Sequence, residues 1–204
     1  RLLDLGAPLD ASAFTAAALP ARTGPLEVLL TAAGTNLSSI PDVGAALCAA
    51  ARYARHEHLK MFLAAGLPVS FSDRTGRTGL MSCAQSLSAD GLEGMRMLLD
   101  AGASVDQRDK HGRTALIYAA SNATDSGIQL MKALLAAGAS IGDKDNQGRT
   151  VLHAFARHGQ HAAAFRALLE AGADVNAVDS EGVTPLLAAI KANNKDAAML
   201  IIVS

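Results

Sequence analysis

Between Asp109 and Gly142 the polar and apolar positions change phase four times. Asp109-Lys110-His111-Gly112 is a polar run with turn chemistry, its glycine free to take positive φ. From Thr114 onward, Leu116, Ile117, Ala119 and Ala120 give an apolar side to a short predicted helix. The polar run "SNATDSG", residues 121–127, breaks it. Ile128, Met131, Leu134 and Leu135 then return at helical spacing, and Gly138 is placed to end that second helix in the left-handed conformation. The pattern predicts turn, helix, loop, helix, loop.

The same pattern recurs along the chain. Gly-Arg-Thr stands at residues 76–78, 112–114 and 148–150, two steps of 36, and Gly182-Val183-Thr184 follows 34 further on. A leucine-type pair followed by a glycine step ends at Gly6, Gly34, Gly66, Gly102, Gly138 and Gly172, with spacings of 28, 32, 36, 36 and 34. One helix pair cannot bury its own apolar face, whereas stacked pairs bury it between neighbours. The expected fold is therefore all-α, a solenoid of about five full repeats with partial terminal units, in one domain over 1–204.

The stretches "LLEAGADVNAVDSEGVTPLLAA" (168–189) and "DNQGRTVLHAFA" (145–156) carry a closer resemblance. They are similar to the ankyrin repeat, whose pattern runs D-x-x-G-x-T-P-L-H-x-A-A and later L-L-x-x-G-A-D-V-N. The resemblance covers residues 70–202 strongly and weakens over 1–69, where degenerate repeats with short or missing fingers are expected. It implies antiparallel helix pairs, turn "fingers", and a concave face lined by fingers and first helices. It also implies a non-catalytic module for protein–protein interaction. The chain departs from the pattern in places. Its motif proline survives only as Pro185 and its motif histidine only as His153, with Met81, Ile117 and Leu187 at the matching positions. That histidine helps hold the threonine-bearing turn in the family, so the other repeats are expected to rely on packing. Residues 1–9 read as the end of an earlier repeat or a cap. The last helix, "DAAMLIIVS", would call for further chain beyond Ser204 if its apolar outer side is uncovered.

Composition narrows the function. Alanine, at 43 residues, favours helices that pack closely. A net charge of −1 gives no general attraction to nucleic acid or anionic membrane, and no Trp stands ready to stack on bases. No apolar run approaches the roughly 20 residues of a membrane span. Cys48 and Cys83 fit a reducing compartment and a cytoplasmic location. Residue 1 is Arg, however, so the lack of a leader leaves export open.

Candidate chemistry is sparse. No phosphate-binding loop or serine elbow occurs. His56 and His58 point apart on one helix. His158 and His161 lack the further ligands that zinc needs, so surface histidines are expected and no metal or cofactor. Cys48 and Cys83 sit on neighbouring first helices, in different phases of the motif, and read as packed, reduced thiols. Asp73, Asp109, Asp145 and Asp179 recur once per unit and read as turn caps rather than catalysts.

What varies between repeats at exposed positions carries recognition. The candidate partner-binding residues are Arg74 and Arg77; Arg108, Lys110, His111, Arg113 and Asn122; then Lys144, Gln147, Arg149, Arg157 and His158. Arg77, Arg113 and Arg149 should form a ladder across three fingers, one helix-packing distance of about 8–10 Å per step. An acidic protein or peptide surface is the matching partner for forked guanidinium contacts, although neighbouring aspartates offset much of that charge. The module is expected to be a monomer. A second reading makes it the regulatory or substrate-docking region of a larger enzyme or secreted effector.

Overall fold

The computed structural model describes residues 10–20, 22–34, 37, 40, 42–122, 124–159 and 161–204. The expected cap at 1–9 lies outside them. Among the described residues there are twelve helices in six consecutive pairs. They are α1 (Ala11–Ala18) with α2 (Gly24–Ala33), α3 (Gly44–Arg52) with α4 (His56–Ala64), and α5 (Gly79–Ala84) with α6 (Gly91–Asp100). Then follow α7 (Ala115–Ala120) with α8 (Asp125–Ala136), α9 (Val151–His158) with α10 (Ala162–Glu170), and α11 (Pro185–Lys191) with α12 (Lys195–Ile202).

The first helices of successive pairs pack on one another in a row, α1 on α3 and so on to α9 on α11. The second helices α2, α4, α6, α8 and α10 form a parallel row behind them. The core runs unbroken between the rows, through Phe14, Leu47, Leu80, Leu116 and Phe155 on the first helices. Alanines at 46, 50, 84, 119 and 156 are buried beside them, and this lets neighbouring helices approach closely. At the far end Leu187, Ile190, Met199 and Ile202 are exposed.

Each repeat is punctuated by local chemistry. α8 ends with Gly138 at φ 89°, with Gly138 N–H donating to Leu135 O and Ala139 N–H to Leu134 O. This pair of bonds satisfies the last carbonyls of the helix. Each clear first helix starts at an extended threonine: Thr78, Thr114, Thr150 or Thr184. Ahead of that threonine lies the finger, and the fingers join one another. Lys110 N–H donates to Thr75 O at 3.0 Å, Asn146 N–H to His111 O at 2.9 Å, and Ser180 N–H to Gln147 O at 2.9 Å.

Candidate recognition groove

The fingers are built around their aspartates. In the finger at 109–113, Asp109 N–H donates to Arg113 O, and Gly112 N–H, at φ 75°, donates to Asp109 O. The Asp109 Oδ1 atom accepts from the N–H groups of His111 and Arg113 at 2.8 and 2.9 Å. Asp73, Asp145 and Asp179 repeat this bonding onto residues two and four ahead. One carboxylate oxygen per finger thus takes two amides that the turn would otherwise leave without partners.

The other oxygen explains the recurring arginine. Arg77 Nε donates to Asp73 Oδ2 at 3.1 Å, Arg113 Nε to Asp109 Oδ2 at 3.1 Å, and Arg149 Nε to Asp145 Oδ2 at 2.8 Å. A second guanidinium nitrogen reaches the same oxygen in each, at 3.1, 3.0 and 2.7 Å. The Asp109 and Asp145 side chains are 0% and 2% exposed beneath them. Tyr118 completes the second finger, its hydroxyl donating to Asp109 Oδ2 at 2.6 Å while the Arg113 guanidinium lies 4.7 Å from the ring centre. Burial alone would raise the Asp109 carboxyl. The Tyr118 and Arg113 hydrogen bonds and the Arg113 charge outweigh it and hold the group below the usual carboxylate range. Asp73 is lowered in the same way, burial being opposed by Thr75 and Arg77.

Other predicted residues have neighbours within the chain. Arg74 pairs with Asp42 at 2.6 Å. Arg108 donates to the Lys144 carbonyl of the next repeat. Asn122 sends its amide back to Ser86 O at 2.8 Å and Ala84 O at 3.3 Å, and Asn194 repeats this clasp onto Gly159 O and Ala156 O. Lys110, His111, Lys144 and Gln147 are exposed on the fingers, and their side chains have no polar partner among the described residues.

Four of the predicted residues converge. A cavity of about 130 Å³ between α7 and α9 is lined by Arg113, Arg149, Arg157 and His158, with Ser121 and Asp145. Arg157 and His158 form the exposed last turn of α9. Arg157 has no acidic partner among the described residues, whereas Arg113 and Arg149 are each neutralised by their own finger. Arg157 also lines the next groove, about 430 Å³ between α9 and α11, together with Asp179, Glu181, Val183 and Lys191.

His58 corrects the surface reading of the histidines. It is 1% exposed on the inner side of α4, and its Nε2 bonds the Arg22 carbonyl at 3.3 Å. Two positions from His56 it turns inward, because a helix rotates about 200° over two residues. His56 stays half-exposed against Asp90 O. His153 is buried as well. Its Nδ1 accepts from Thr150 N–H, which leaves its Nε2–H to donate to Val183 O in the next finger at 2.8 Å. Without that histidine, Thr78 and Thr184 hydroxyls accept from Met81 and Leu187 N–H, while the Thr114 hydroxyl is buried with no partner among the described residues. Both cysteines are buried and free, and burial pushes the Cys48 thiol up to about 12.

The geometry is that of a repeat scaffold, and the sequence comparison agrees. A family model described as ankyrin repeats, in three copies, matches residues 47–145 and 121–204. The chain belongs to the ankyrin-repeat family. Proteins of this family are in general protein–protein interaction modules. No curated protein matches the chain. Among the described residues no helix is long and apolar enough to cross a membrane.

Proposed function

We propose that this chain is a non-catalytic recognition module that binds a protein or peptide across its fingers and first helices, the face that is concave in the family. The groove between α7 and α9 is the centre of that surface. One observation carries the reading: Arg157 is a cation at the junction of two grooves and forms an ion pair with no acid among the described residues. Arg113 and Arg149 add guanidinium N–H groups that their aspartates leave open, since each offers five donors. An acidic side chain of the partner is the matching group for this groove. Lys110, His111, Lys144 and Gln147 form a rim on the finger tips.

The ion pairs choose the test. Charge reversal at Arg113 or Arg149 would set a second carboxylate beside a buried one and weaken the fold. Arg157→Glu has no such partner to disturb. Crosslinking pull-downs from the source lysate should lose the partner with Arg157→Glu, by about tenfold or more in recovery. They should keep it with Arg166→Glu, an exposed position on α10. Equal recovery with both variants removes this groove from the binding surface.

A further inference from the structure

The fourth finger keeps the aspartate and changes its partner. Asp179 Oδ1 accepts from Glu181 and Val183 N–H at 2.9 Å each, as in the other fingers. Val183 stands where Arg77, Arg113 and Arg149 stand, and a valine side chain cannot donate. Asp179 Oδ2 therefore has no donor among the described residues, and the aspartate is half-exposed where Asp109 and Asp145 are buried. It opens on the groove of about 430 Å³ between α9 and α11. Val183, Ala188 and Ala192 supply an apolar wall there, suited to the methylenes of a long cationic side chain. Glu181 adds a second carboxylate at the rim.

From this geometry we infer that the fourth finger is a socket for an arginine side chain of the bound partner. The chain displays the fitting geometry three times within itself: a guanidinium set on Oδ2 of a finger aspartate, with Oδ1 held by the turn. The partner's arginine would complete the fourth finger as Arg149 completes the third. Arginine is favoured over lysine because its planar guanidinium sets two adjacent N–H donors on the one open oxygen, as Nε and Nη2 of Arg149 share Asp145 Oδ2. The groove also holds the cations Arg157 and Lys191 and the His158 ring, so the incoming segment must carry an acid as well. Neighbouring repeats stand about 8–10 Å apart, and an extended chain advances about 3.3 Å per residue. The acid facing Arg157 and Arg149 then falls roughly three residues from the arginine. This rests on the proposed binding face and adds to it the charge order of the ligand.

The test uses a phage-displayed library of random twelve-residue peptides selected on the folded domain, whose binders are then measured on two socket variants and on Arg157→Glu. Val183→Arg fills the socket from within, and Asp179→Asn removes its charge while keeping an acceptor for the turn. Binders to the wild type should be enriched in arginine with Asp or Glu about three positions away. Their synthetic versions should bind at least tenfold more weakly to Val183→Arg and to Asp179→Asn, with the thermal midpoint of Val183→Arg unchanged or raised. If Val183→Arg fails to fold, Asp179→Asn decides alone. Binders that lose affinity to Arg157→Glu yet carry no arginine, or prefer lysine equally, overturn the socket and leave the binding face standing. Binders indifferent to Arg157→Glu, or no binders at all, overturn both.

Discussion

The second and fourth fingers share a backbone and differ in what closes them. At 109–113 the aspartate is sealed by Arg113 above and Tyr118 behind, and its side chain has no contact with water. At 179–183 the same turn, with the same two amide bonds on Oδ1, leaves its outer oxygen open to a groove. The difference shows that the amide bonds form the turn and the arginine does not. The arginine instead decides whether the carboxylate belongs to the chain or is available to something else. A residue that repeats is then the less informative one for recognition. The finger that breaks the repeat presents the unsatisfied acceptor.

This contrast is most exposed by deleting the two carboxylates. Asp109→Ala strands Arg113 and the Tyr118 hydroxyl together with two finger amides, and should cost about 3 kcal/mol in denaturant unfolding, the range for breaking a buried pair. Asp179→Ala releases only the two amides, and its loss should be less than half as large. Equal losses would mean that the arginine and tyrosine contribute nothing beyond the turn.

A smaller effect is expected from acid. Asp73 and Asp109 have carboxyls lowered in the folded state, because hydrogen bonds and arginine charge outweigh burial. A lowered group contributes stability that is complete above its unfolded value, near 4, and that is lost as pH falls through the folded value. Urea midpoints should fall steeply below about pH 4. Asp109→Asn should start from a lower midpoint and give a shallower acid limb. An unchanged slope would show that Asp109 does not titrate with unfolding.

The finest comparison concerns the threonines that end the second and third fingers. Thr150 meets His153 at 2.9 Å, whereas the Thr114 hydroxyl is buried with no partner among the described residues. Thr150→Val should cost about 1 kcal/mol, and Thr114→Val should be neutral or stabilising by up to about 1 kcal/mol. A matching loss at both sites would reveal a partner for the Thr114 hydroxyl.

Much of this scaffold is legible in the sequence because it is made of short-range chemistry. An Asp, a Gly three residues on and a Thr two beyond that specify a finger within six positions, as at Asp109, Gly112 and Thr114. Leu134 and Gly138 likewise mark where a helix ends and why. The twelve candidate contact residues share an outward place in the repeat pattern, and the structure separates them by their neighbours. Arg157, His158, Arg113 and Arg149 meet in one groove. Arg108 and Asn122 instead bond carbonyls one repeat away, across 36 and 38 residues of chain. No local pattern distinguishes an outward asparagine from one that reaches back to the preceding helix. His58 was unreadable for the same reason, since its partner, the Arg22 carbonyl, is 36 residues distant.

The period, the all-helical class, the turn at each aspartate and the helix starts and stops are written in local sequence. All of these follow from backbone preferences and hydrogen bonds within a few residues. Which charges are already answered is settled by the packing of one repeat on the next. Whether Arg157 is free and Asp179 half-open depends on which side chains stacking brings within about 3 Å, and on how much water it leaves around them. Those quantities are set by neighbours a whole repeat away.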